Sequence, residues 1–197
     1  KEAIEHKWMI AAQVPVLTSE GERGKRRAAF TEDEYDKAIA FGVCINVDNF
    51  EMLEYLGATY PDLPLCVRIN PHMMAGGNSK ISVGHIGSKF GISIHQLPYL
   101  ERIVKNFNIN VIGIHVHTGS DILDSEIFIK AANLILSVVD KFDSVQYIDF
   151  GSGFKVAYKE NGLHTDIVDF GKGFSENFNA YCKEKGKSYE LKFEPGK

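Results

Sequence analysis

Two hydrophobic periodicities divide the chain. Short runs of apolar residues recur at 43–47, 65–70, 111–116, 145–150 and 191–193. Runs of this length, bounded by Gly, Pro, Asn and Asp, predict strands buried on both faces, as in a parallel sheet. Between them apolar residues fall three and four apart, the spacing of helices with one inward face. Thr31 and Glu34 form a capping box; Tyr35, Ala38 and Ile39 follow at helical spacing, and Phe41 and Gly42 end the helix. Asp48 is expected to cap a second helix, with Met52, Leu53 and Leu56 as its stripe and Gly57 closing it. A third helix spans 93–106, with Ile94, Leu97, Leu100 and Ile103 inward and Pro98 near its start. The fourth, over 125–142, carries Ile127, Ile129, Ala132, Leu136 and Val139 on one side. The fifth lies within 166–185, with Ile167, Phe170, Phe174, Phe178 and Cys182 in line. Residues 1–30 form an unassigned N-terminal segment: 8–13 reads as a buried stretch, 14–17 as a short strand and 19–27 as a charged loop.

Strand–helix alternation over 31–197 predicts a parallel sheet with right-handed crossovers. An open doubly wound sheet and part of a (β/α)8 barrel both fit. A whole barrel takes about 250 residues, so the 197 residues here would make an incomplete one. The first residue is Lys1, not methionine, and the chain stops at Glu194–Lys197, where a strand should enter its loop. A piece of a longer protein is therefore expected. The stretch 72–91 holds Gly76, Gly77, Gly84, Gly87 and Gly91, and loops this long in compact domains are usually functional or disordered.

Composition narrows the classes. The chain is 44% hydrophobic and 24% charged, with net charge −4, an ordinary globular balance. No basic block is present, which argues against a nucleic-acid partner. No apolar run approaches the roughly 20 residues of a membrane span, and no signal-peptide pattern opens the chain. The cysteines, Cys44, Cys66 and Cys182, are odd in number and lack CxxC spacing. A reducing, cytoplasmic setting without disulfides or a metal cluster is expected.

In either architecture the strand C-termini face one pocket. It would collect Arg68, His115, His117, Ser120, Asp149, Gly151, Ser152, Gly153 and Glu194. His115 and His117 are two residues apart at a strand end and share a face; they serve a ligand or are satisfied core histidines. Gly151-Ser152-Gly153 offers unhindered N–H groups to an anion, phosphate above all, or is a plain strand–helix turn. Ser120 adds a hydroxyl at a helix start, or only a cap. Arg68 in an apolar strand needs an anion and Glu194 before Pro195 needs a cation, and a salt bridge within the protein would serve either. Together these groups suit a flat, phosphorylated, protonatable heteroaromatic molecule.

In chain order, VRINPHMMAGG, SKFGI, GIHVHTGSD, YIDFGSGF and KFEPGK resemble the motifs of the fold-type III pyridoxal-phosphate decarboxylases. The likeness runs over about residues 33–197. It implies an alanine-racemase-like (β/α)8 (TIM) barrel, with 31–197 supplying about the last five strands of the pyridoxal-phosphate domain. It implies pyridoxal 5'-phosphate as cofactor, a small-molecule amino-acid substrate and a homodimer, with no nucleic acid and no membrane. Among the family's substrates, meso-diaminopimelate, decarboxylated to lysine, stands first. Ornithine, arginine and carboxynorspermidine are alternatives, as is a non-catalytic homologue that only binds the cofactor. By the same resemblance His117 is the histidine that stacks on the cofactor ring, and Glu194 is the carboxylate that keeps the pyridinium nitrogen protonated. Ser120, Gly151, Ser152 and Gly153 match the phosphate cradle, with Gly-Ser-Gly in place of a triple glycine. Arg68 matches an arginine near the phenolic oxygen. Lys197 stands where the family has an arginine for phosphate or substrate, which keeps the charge but loses the bidentate fork. The lysine that links the cofactor, in a K-A-N context, has no counterpart in residues 1–40, and the C-terminal β-domain has none in the chain. The chain alone is accordingly expected to be inactive. The scheme requires residue 117, the bend at 151–153 and residue 194 to face one cavity.

Overall fold

The apolar runs become strands of one parallel sheet: β1 (Met9–Ala11), β2 (Cys44–Val47), β3 (Pro64–Asn70), β4 (Ile92–Ser93), β5 (Asn110–Val116), β6 (Tyr147–Asp149) and β7 (Glu190–Lys192). The computed structural model describes residues 9–11, 31–73, 90–117, 119 and 122–195. The helices are α1 (Glu32–Ala40), α2 (Phe50–Thr59), α3 (Leu97–Asn106), α4 (Ser125–Val139) and α5 (Ile167–Lys185). The sheet runs β1-β2-β3-β5-β6-β7, with β4 paired to the C-terminal end of β3. This order never reverses. A doubly wound sheet reverses at its switch point, whereas crossovers of one hand advancing in one direction leave every helix on the same side. Of the two architectures, this is the wall of a barrel. β1 adds a strand inside the segment left unassigned from sequence; the strand expected at 14–17 lies outside the described residues.

The two faces of the sheet differ in chemistry. Ile45, Val47, Leu65, Val67, Ile69, Ile114, Val116, Ile148 and Phe150 join Leu53, Leu56, Leu100, Ile135, Phe170 and Phe174 of the helices in one core. Alternate positions point the other way. There lie Asn46, Cys66, Arg68, Asn70, His115, Tyr147 and Asp149, all buried. Strand register sets Arg68 beside His115, His115 beside Asp149 and Asp149 beside Lys192, a row of ionisable side chains across four strands. One row below, Tyr147 lies across Gly113: a Cβ on that glycine would run into the phenol ring. The tyrosine hydroxyl reaches Cys44 Sγ at 3.3 Å and closes the floor of the site. Burial pushes the Tyr147 phenol and the Cys66 thiol well above their ordinary ranges, so both stay neutral.

Several helix details differ from the sequence expectation, each for a local reason. The capping box of α1 is present, with the Glu34 carboxylate accepting the Thr31 N–H at 2.6 Å. The cap of α2 is Asn49, whose Oδ1 accepts the Met52 N–H at 2.9 Å. Asp48 instead is buried, where its charge acts on Arg68. Gly57 does not end α2, which continues to Thr59; a Cβ there would meet Ile109 Cδ1 at 2.8 Å. Its missing side chain makes room for packing, not for a turn. Before α3, Ser93 caps a 3-10 turn (Ile94–Gln96), and Pro98 sits in the first turn of α3, where its missing N–H costs nothing. α4 stops at Val139 and buries Phe128, Ala131, Ile135 and Val138 alongside Ala132, Leu136 and Val139, so its buried stripe is wider than expected and Ile127 is only partly covered. Ile167, at the start of α5, is 55% exposed. Among the described residues, no helix is long and apolar enough to cross a membrane.

Candidate functional site

The loops after β5, β6 and β7 meet. The Ser152 N–H donates to His117 Nδ1 at 3.3 Å, and the Glu194 N–H donates to the Gly151 carbonyl at 2.6 Å. His115 Nε2 lies 3.5 Å from Glu194 Oε2. Residue 117, the bend at 151–153 and residue 194 therefore share one site. The bend needs its two glycines. Gly151 has φ +59°, and a Cβ there would lie 2.7 Å from the Val116 carbonyl and 2.8 Å from His117 Nδ1. Gly153 has φ +137°, and a Cβ would lie 2.5 Å from the Gly119 carbonyl. The Ile122 N–H donates to the Gly153 carbonyl at 2.8 Å, tying the loop after β5 to the bend. Serine thus replaces glycine at the middle position, between the two that a side chain would block.

Burial, with Arg68 and His115 adding, lowers the His117 imidazole to about 4. It is neutral at pH 7, and the amide bonded to Nδ1 leaves its proton on Nε2. Burial also lowers the Arg68 guanidinium, opposed by Asp48 and Glu194, but an arginine remains charged. Its Cζ lies 5.7 Å from the Phe90 ring centroid, a cation–π contact. Gly91, with φ +83°, lets this chain segment close on β3: a Cβ there would be 3.2 Å from Arg68 Cγ. Phe90 and Gly91 belong to the SKFGI motif, which sequence reasoning noticed without assigning either a task.

Glu194 is the open member of the group, 45% exposed. Its neighbour His115 pulls its carboxyl below the usual range; burial opposes, and His117 and Arg68 add to the pull. Asp149 goes the other way. Burial raises its carboxyl, opposed by His115 and by the Gly151 N–H, which Oδ1 accepts at 2.8 Å. Asp149 Oδ2 and both ring nitrogens of His115 have no hydrogen-bond partner among the described residues. The 3.5 Å approach of His115 to Glu194 is thus an electrostatic contact without hydrogen-bond geometry.

Of the residues singled out from sequence, Arg68, His117, Gly151, Ser152, Gly153 and Glu194 surround this site. Ser120 and Lys197 lie outside the described residues. His115 and Asp149 were collected into the pocket without a role; the signal for them was the H-x-H spacing and an aspartate two residues before the glycine bend. A neutral imidazole, an ionised carboxylate and a bend that a Cβ would fill suit a flat ring with a cationic nitrogen and a phosphate ester.

A family described as "Pyridoxal-dependent decarboxylase, pyridoxal binding domain" matches residues 29–197. A diaminopimelate decarboxylase of Methanothermobacter thermautotrophicus is 30% identical over 173 residues, 84% of this chain and 40% of the relative. That of Pseudomonas aeruginosa is 29% identical over 177 residues, 85% of this chain and 41% of the relative. The chain thus spans about two fifths of the length of the curated relatives it matches. A crystal structure of diaminopimelate decarboxylase superposes with TM-score 0.75 at 20% identity, over 95% of this chain and 41% of the other. The Helicobacter pylori enzyme complexed with L-lysine gives 0.69 at 22%, over 84% and 43%. At these identities the superpositions speak for the barrel fold.

Proposed function

The chain belongs to the pyridoxal-dependent decarboxylases through their pyridoxal-binding domain, and on that premise we propose that it carries the cofactor half of an amino-acid decarboxylase, acting on meso-diaminopimelate to give lysine. The observation that carries this reading is the meeting of His117, the 151–153 bend and Glu194 at one site. Bound pyridoxal 5'-phosphate supplies an electron sink that lets an amino acid lose its α-carboxylate as carbon dioxide. His117 offers the ring a neutral imidazole. Glu194 holds a proton on the ring nitrogen, and its lowered carboxyl keeps it anionic for that task. The N–H groups of Gly151, Ser152 and Gly153, with Ser120, bind the phosphate. Arg68 keeps positive charge near the phenolic oxygen, and Lys197 meets phosphate or substrate.

The substrate rests on the diaminopimelate decarboxylases among the relatives. Ornithine, arginine and carboxynorspermidine, alternatives that the family resemblance implies, are the second reading. Free Cys44, Cys66 and Cys182 support a reducing, cytoplasmic setting.

The test uses the full-length protein. It is expected to bind pyridoxal phosphate with a visible absorbance that borohydride bleaches, and to release carbon dioxide from meso-diaminopimelate faster than from ornithine or arginine. Glu194→Ala is expected to lower turnover about a hundredfold or more while weakening cofactor binding far less. Equal losses in both would refute the assigned role of Glu194, and no cofactor binding by the wild type would refute the whole reading.

A further inference from the structure

We propose that His115, placed between the carboxylates of Asp149 and Glu194, is a positioning residue that aims the Glu194 carboxylate and keeps it charged; the proposal rests on the cofactor reading above. The three side chains offer one imidazole nitrogen and two carboxylate oxygens, all within 4.8 Å of one another. Two of the three are walled in, with His115 2% and Asp149 1% exposed, and only Glu194 opens toward a ligand.

The three are also joined through the backbone. Asp149 Oδ1 accepts the Gly151 N–H, and the Gly151 carbonyl accepts the Glu194 N–H. Contacts therefore run from Asp149 through the Gly151 peptide to Glu194, and back to the histidine through the carboxylate. A cap for the glycine bend would use one oxygen of Asp149, and asparagine would serve as well. The second oxygen is buried without a hydrogen bond among the described residues, beside an imidazole that has none among them either. Buried polar atoms left this way call for an explanation, a catalytic task or a bound group among them.

That task follows from charge. Two carboxylates so close cannot both ionise freely, and their environments drive them apart: Asp149 upward, Glu194 downward. The imidazole between them favours ionisation of the outer carboxylate, which the ring nitrogen needs. Arg68 from β3, His117 from β5 and Lys192 from β7 face the same groups. They remain in every variant, so a change can be traced to His115.

The experiment is a ¹³C-NMR titration of the Glu194 carboxylate in the full-length apo protein, paired with ¹⁵N-NMR of the ring nitrogen of bound pyridoxal phosphate. His115→Gln is expected to raise the Glu194 midpoint by about one pH unit and to lower the pH at which the ring nitrogen loses its proton. Adding Asp149→Asn, which keeps an acceptor for the Gly151 N–H but removes the competing acid, is expected to move both back toward wild type. A structural role alone would give no such rescue. Unchanged titrations in His115→Gln, or failure of the double variant to restore them, overturn the proposal. If His115→Gln fails to fold, His115→Asn takes its place: it must raise the Glu194 midpoint, and no shift overturns the proposal. Failure of the wild type to bind pyridoxal phosphate would overturn the cofactor reading and this proposal together.

Discussion

Ile148 and Asp149 are neighbours on β6, are equally buried, and belong to different structures. Ile148 faces the helices, inside a core of aliphatic and phenylalanine side chains. Asp149 faces the barrel interior, in a row with His115 and Lys192. The interior layers of a typical barrel are filled with Val, Ile and Leu; the corresponding positions here hold Asn46, Arg68, His115 and Asp149. Burying such groups beside apolar neighbours costs free energy that no folding requirement demands. One face of the sheet is thus organised for stability and the other for a ligand, and the division changes with every residue along a strand.

The sharpest way to break this comparison is to truncate its apolar side. Ile148→Ala is expected to lower unfolding free energy by about 4 kcal/mol, because Ile148 is fully buried and the helices above it can collapse only partly. Urea denaturation measures the loss. Pyridoxal-phosphate affinity, measured where the variant is fully folded, should change less than threefold. A parallel fall in affinity would mean that the faces are coupled and the division is false.

The polar face should reveal itself through pH. His117 is held at about 4 by burial, with Arg68 and His115 adding, against 6.5 when unfolded. Its folded-state value is depressed, so the unfolded chain takes up the proton first as the solution is acidified. The stability this neutral imidazole contributes is full above pH 6.5 and is lost as pH falls toward 4, by roughly 3 kcal/mol at most. Asp149 acts in the opposite sense: its raised carboxyl favours folding at acid pH and gives that up as pH rises. The observable is therefore a difference. Stability curves of the apo wild type and His117→Gln, from pH 7 to pH 4, should converge as the wild type alone loses this contribution. Parallel curves would place His117 in water rather than in the site.

The fold was legible where a single periodicity governs a segment. The apolar runs of β2, β3, β5, β6 and β7 and the phenylalanines of α5 were enough to locate those elements, since Phe170, Phe174 and Phe178 are buried as their spacing requires, whereas β1 and the two-residue β4 were not read as strands. The caps were legible by type but not by residue. Asp48 and Asn49 are both good caps; Asn49 takes the role, while Asp48 is buried, accepts from Asn49 Nδ2 at 2.9 Å and acts on the charge of Arg68. The site was legible as a set of loop tips. Its internal order was not, because the pairing of His115 with Asp149 and Glu194 depends on register across β5, β6 and β7. Phe90 was invisible for the same reason: nothing near it in sequence announces a guanidinium 5.7 Å from its ring.

The smallest expected effect tests how tightly the helix side is packed. Gly57 lies inside α2, where alanine would gain about 1 kcal/mol from helix propensity. Its Cβ would meet Ile109 Cδ1 at 2.8 Å and Phe107 Cβ at 2.9 Å. The tip of Ile109 can rotate away, but a Cβ is fixed to the backbone of the turn after α3, so the second contact can be relieved only by moving that turn. Overpacking of this kind costs about 1–3 kcal/mol and should outweigh the propensity gain. Gly57→Ala is therefore expected to destabilise the protein by about 1 kcal/mol in urea denaturation, with Phe107→Ala moving the effect little because its Cβ remains. A stabilised Gly57→Ala would show slack between α2 and the start of β5, and the helix side would then owe its stability to apolar area rather than to close fit.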